Sequence, residues 1–60
     1  MLILSRKQGE RIVLTMGDLK VEVLVTDILN DRVKIGIDAP SEVKIHREEV
    51  FEAIARERQT

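Results

Sequence analysis

The sequence predicts a mainly β chain: five short strands followed by one C-terminal α-helix, in a molecule that needs a second copy of itself. Three observations carry this. Apolar residues alternate with polar ones at a period of two between Leu19 and Ile28 and again between Arg32 and Ile37. From Arg47 onward the apolar spacing changes to i, i+3, i+4, the period of a helix. Finally, 43% of 60 residues are hydrophobic and none is cysteine. A chain of this length buries only about 60% of its unfolded surface, so it holds more apolar material than one copy can cover. With no disulfide or thiolate site to staple it, association is the remaining device, and a two-fold dimer is the commonest form.

The elements follow in order. Residues 1–7 read as a strand whose apolar positions are contiguous, which suits burial on both faces. Gly9 breaks it, and 11–16 (RIVLTM) is a second strand. Gly17-Asp18 marks a turn, in the reverse of the stronger Asp-Gly order. Residues 19–28 form the clearest strand, with Leu19, Val21, Val23 and Val25 on one face. Asn30-Asp31 tolerates left-handed backbone and predicts a tight hairpin. The return strand, 32–37, carries Val33, Ile35 and Ile37 on one face and Gly36 opposite, where a bulge or a close approach is expected. Pro40 ends the ladder. A last short strand, 42–46, alternates Val43 and Ile45 with Lys44 and His46. The helix over 47–58 has Val50, Phe51, Ile54 and Ala55 as its apolar stripe, with Phe51 expected in the core. Glu48 and Glu49 near its start and Arg56 and Arg58 near its end suit the helix dipole. One domain spans 1–60, with no repeat or linker.

Chemistry is scarce. There is no cysteine nucleophile, and His46 is the sole histidine, so no base with an orienting partner is available. Three scattered glycines make no phosphate-binding loop. No metal site has a familiar spacing. The chain is therefore not expected to be an enzyme or to hold a cofactor. No apolar run approaches membrane-spanning length, and no targeting segment is visible, so a cytoplasmic location is expected.

Two cationic clusters remain: Arg6-Lys7, and Lys44/His46/Arg47 at the strand-to-helix junction. Both sit at strand ends that would hold them rigidly. On composition alone, ordinary solvated surface charge is the favoured explanation, because such charges are common and the net charge is −1. With Phe51 assigned to the core, no aromatic stacking platform for bases exists. Recognition of a nucleic acid would rely on backbone groups, arginine planes and aliphatic contacts.

The opening MLILSRKQGE and the segment VKIGIDAPSEVKIHREEV closely resemble the carbon storage regulator family (CsrA/RsmA) of bacterial post-transcriptional regulators. The resemblance covers nearly the whole chain. It implies an intertwined homodimer in which the first strand of one subunit lies beside the last strand of the other. Each binding site is then composite, and the dimer has two. It also implies RNA targets: GGA sequences in hairpin loops of mRNA leaders, where binding blocks the ribosome or alters message stability. Small regulatory RNAs with many such loops titrate the protein, and some members answer to a flagellar assembly partner protein.

Carried onto this sequence, the resemblance makes Leu4 a source of backbone contacts to bases and Arg6 and Lys7 phosphate contacts. Ala39 and Pro40 lend backbone groups, and Val43 and Ile45 give aliphatic contact and register. His46 borders the site, Arg47 makes the principal side-chain contact, and Glu48 positions its neighbours. Lys34 stands where arginine is frequent, Lys44 where an uncharged residue is common, and Ser5 where threonine is usual. The turns around Gly17 and Asn30 are slightly longer than in most members. The competing reading is a swapped β-dimer that binds duplex DNA, like antitoxin or transition-state regulators.

Overall fold

The computed structural model describes residues 1–58; Gln59 and Thr60, the last two positions of the expected 1–60 domain, lie outside the described residues. The elements are β1 (Arg11–Met16), β2 (Leu19–Ile28), β3 (Val33–Asp38) and α1 (Glu48–Arg58). The strands make one antiparallel sheet in the order β1-β2-β3, which leaves β1 and β3 as open edges. The third strand runs one residue later than the expected 32–37, and the helix starts one residue later than expected.

The first hairpin turns on two residues, and the second joins Ile28 to Val33 through Leu29, Asn30, Asp31 and Arg32. Met16 pairs with Leu19, leaving Gly17-Asp18 as the loop. Gly17 has φ +58°, and Asp18 does not adopt a positive φ. That is the type II′ pattern, which puts glycine first, so the Gly-Asp order is the one this turn requires. A Cβ at position 17 would meet no atom within 4 Å, so Gly17→Ala probes backbone strain alone. Left-handed backbone costs an L-residue about 1–2 kcal/mol. The expected result is a loss of about 1 kcal/mol, read as a lower denaturant midpoint at unchanged slope.

At the second hairpin the Leu29 N–H donates to the Arg32 carbonyl at 2.9 Å. Neither Asn30 nor Asp31 adopts the left-handed backbone expected there. The reason lies in β2. Val25 pairs with Ile35 but Asp27 with Lys34, so Thr26 is an extra residue, a β-bulge. A bulge adds right-handed twist that a left-handed turn otherwise contributes. It also resets the phase of the strand. Val25 and Ile28 are three apart and would fall on opposite faces of a regular strand. With the bulge, both share the face of Ile35 and Val33, their ladder partners. The Thr26 hydroxyl donates to the Lys34 carbonyl at 3.0 Å. The bulge thus lies across from the region of Gly36, and the close approach is made by Thr26: a Cβ on Gly36 would meet its methyl at 3.3 Å.

Register sorts the sheet into two unlike faces. Ile12, Val23 and Ile37 align across the three strands, with Leu14 and Val21 beside them, to form an apolar face. Arg11, Glu22, Leu24 and Asp38 share the other, where Arg11 and Lys20 pair with Glu22 at 3.6 and 3.2 Å.

The apolar face is only partly covered: Ile12, Leu19, Val21 and Val23 are half-buried, and Val43 lies over one end. No described residue is buried, and α1 contacts none of the strands. Met16 is 75% exposed and Ile35 57%. Phe51, expected in the core, is 58% exposed because no core forms within one chain. The accessible surface is 5750 Å² for a 6.9 kDa chain, where a folded monomer of that mass shows about 4000 Å². The radius of gyration is 14.1 Å, against about 10 Å for a compact chain of this length. Residues 1–7 and 42–46, expected as strands, form no ladder in the single chain. A ladder needs a neighbour, and the free edges of β1 and β3 have none.

Candidate nucleic-acid interface

The N-terminal cations sit on a built turn. The Glu10 N–H donates to the Lys7 carbonyl at 3.0 Å, closing Lys7-Gln8-Gly9-Glu10. Gly9, at the third position, has φ +86°, which matches a type II turn and favours glycine. The turn is fastened to β2 by Gly9 N–H to the Val25 carbonyl at 2.8 Å and Val25 N–H to the Glu10 carbonyl at 3.1 Å. Glu10 Oε1 accepts the Lys7 N–H at 2.8 Å and pairs with Arg6 Nη2 at 3.2 Å. Arg6 Nη1 donates to the Arg11 carbonyl at 3.3 Å. The Arg6 guanidinium is thereby folded back along the turn. Leu4, 57% exposed, lines a shallow groove with Ser5, Arg6, Arg11, Ile12 and Val13.

The second cluster is positioned by a turn and a helix start. Ala39 and Pro40 are half-buried. The Val43 N–H donates to the Pro40 carbonyl at 3.0 Å. Val43 is half-buried beside Leu14, Met16, Leu19 and Val21, whereas Ile45 is 46% exposed. The Phe51 N–H donates to the Arg47 carbonyl at 2.9 Å, so Arg47 is the N-cap residue of α1. The rings of His46 and Phe51 lie 6.4 Å apart at 37°. These are the positions before the cap and four after it, and their contact is a hydrophobic staple that sets the angle at which the chain joins the helix. His46 thus acts here as a positioning group. The Arg47 side chain is 82% exposed, and its guanidinium pairs with Glu49. Glu48, expected to position its neighbours, makes no ion pair among the described residues and faces the helix start as a dipole partner.

In one chain the turn that carries Lys7 and the segment that leads to His46 and Arg47 start from opposite ends of β2. The Lys7–Glu10 turn is bonded beside Val25, while Val43 lies at the Gly17 end of the sheet, near Leu19. Val25 and Leu19 are about 20 Å apart along β2 at the usual rise per residue. Sequence reasoning missed Glu10 and Glu49. The signal for Glu10 was present: an acid four residues after Arg6, with glycine just before it, can turn back onto that cation.

Among the described residues, no helix is long and apolar enough to cross a membrane. The family described as CsrA, a global regulator protein family, matches residues 1–56. A translational regulator CsrA from Rhodopirellula baltica is 48% identical over 56 residues, covering 93% of this chain and 76% of that protein. Its counterpart in Treponema pallidum is 49% identical over 57 residues, or 95% and 74% of the two chains. That of Desulfitobacterium hafniense is 53% identical over 57 residues, or 95% and 70%. With both cationic segments inside the matched span, the chain belongs to the CsrA family of global regulators.

Proposed function

We propose that the chain is a translational regulator, not an enzyme, that binds RNA in the cytoplasm as an interwoven homodimer. Its targets are GGA-containing hairpin loops in mRNA leaders, where binding blocks ribosome access or changes message stability. Small RNAs with several such loops compete for it, and a flagellar assembly protein is the protein antagonist to test. The observation that carries this is the match over residues 1–56 with relatives named as translational regulators.

The incompletely covered apolar face supports the dimer. The excess surface is roughly 1700 Å² per chain over a folded monomer, so two chains have about 3500 Å² to bury, a figure typical of obligate homodimers. Segments 1–7 and 42–46 pair across subunits in this reading. Arg6 and Lys7 of one chain then stand near Arg47 of the partner subunit. Leu4, Ala39, Pro40, Val43 and Ile45 border the same margin, with His46 and Glu48 at its edge.

The test is competition. A labelled GGA-loop RNA hairpin is challenged with unlabelled duplex DNA and with the same hairpin carrying an altered loop triplet. The RNA is expected to hold against the duplex, and the altered loop to compete poorly, because phosphate contacts alone carry no sequence information. Preferential displacement by the duplex would favour the DNA-binding reading.

A further inference from the structure

We infer that Glu10 is a positioning residue that strengthens RNA binding although it places a negative charge beside a cationic site. This rests on the RNA reading above. Glu10 is the hub of the Lys7–Glu10 turn. Its main-chain N–H closes the turn, its carbonyl accepts from β2, and one carboxylate oxygen takes both the Lys7 N–H and the Arg6 guanidinium. Arg6 and Glu10 are each 40% exposed at this pair, against 82% and 61% at Arg47–Glu49. The Arg6 pair is thus the more enclosed of the two, and Arg6 has a second hold on the Arg11 carbonyl.

Two effects of opposite sign compete. Plain electrostatics says that an acid near a phosphate binder weakens binding and that removing it helps, an effect screened over about 8 Å at physiological salt. Pre-organisation says that a cation fixed before the ligand arrives loses less freedom on binding. The Glu10 charge is already spent on Arg6, so its repulsion of a phosphate is small. Its two bonds to the turn are lost in full when the carboxylate goes. Positioning therefore wins, and the sign of the mutational effect is the reverse of the electrostatic one.

The test uses the full chain and a GGA-loop RNA hairpin. Glu10→Ala is expected to weaken binding about five- to tenfold, within the range of a lost charged contact. Glu10→Gln keeps an oxygen for the Lys7 N–H and loses only the ion pair, so a two- to threefold loss is expected, about the size of one exposed pair. In an Arg6→Ala background the Glu10→Gln effect should vanish, because coupled residues are not additive. Glu52→Gln, on α1 and outside the proposed site, reads the effect of net charge alone and should leave affinity unchanged. Sedimentation and thermal unfolding check that the variants keep their assembly. If Glu10→Ala fails to assemble, Glu10→Gln carries the test. Tighter binding by Glu10→Gln, or an undiminished loss without Arg6, overturns the assignment while the RNA reading stands. If the unaltered protein does not bind the RNA, the RNA reading falls first, and this assignment with it.

Discussion

Arg47→Ala is expected to weaken binding of a GGA-loop RNA by about 1–3 kcal/mol per site, five- to 150-fold, with the dimer intact. Arg47 lies at the cap of α1, where the His46–Phe51 contact fixes the chain direction. Its side chain is 82% exposed, and its guanidinium pairs with Glu49. A pair so exposed is worth about 0–1 kcal/mol, so RNA displaces Glu49 at little cost. Arg47→Lys separates two roles. Lysine keeps the charge and loses the planar fork, so a phosphate contact survives the change and a base-edge contact does not. An Arg47→Lys loss as large as that of alanine, with unchanged salt dependence, marks a base contact. Full recovery by lysine marks a phosphate. An Arg47→Ala variant with normal affinity would show that the site lies elsewhere.

Legibility in the sequence followed the range of the interaction. Strands with a period-two pattern and a local turn signal, such as 19–28 after Gly17-Asp18, could be read because their determinants are neighbours along the chain. The bulge at Thr26 was readable in principle, since Val25 and Ile28 break parity, yet Gly36 drew attention to the wrong strand. The hairpin expected at Asn30-Asp31 forms, but without the left-handed backbone those residues tolerate, beside a strand whose twist the bulge increases. The cations were visible as letters, but their partners were not. Glu10 reaches Arg6 only because the chain reverses at Gly9. Glu49 rather than Glu48 meets Arg47, a choice made by helical phase at the cap. Residues 1–7 and 42–46 form no ladder in the single chain and Phe51 stays 58% exposed, so the strand and core assignments made for them from pattern alone have no counterpart there.

Leu4→Asp is expected to break the dimer before it touches RNA recognition. In one chain the Met1–Ile3 run is at least 80% exposed and Leu4 is 57% exposed. Four consecutive apolar residues in water have no stabilising role in a monomer, and in the proposed dimer they are buried against the partner. A buried leucine is worth about 2 kcal/mol, and a two-fold interface contains it twice. Losing both raises the dimer dissociation constant about a thousandfold at 1.4 kcal/mol per factor of ten. An unpaired carboxylate in that position adds a desolvation penalty. Sedimentation should therefore show monomer at concentrations where the unaltered chain is dimeric. The role proposed for Leu4 toward bases uses its main-chain groups, which aspartate retains. RNA binding should accordingly return when the variant is concentrated enough to force dimerisation. An intact dimer in this variant would mean that residues 1–7 do not pair across the two-fold axis. That pairing would then not bring the Arg6-Lys7 turn beside Arg47 of the partner subunit to bind one RNA loop.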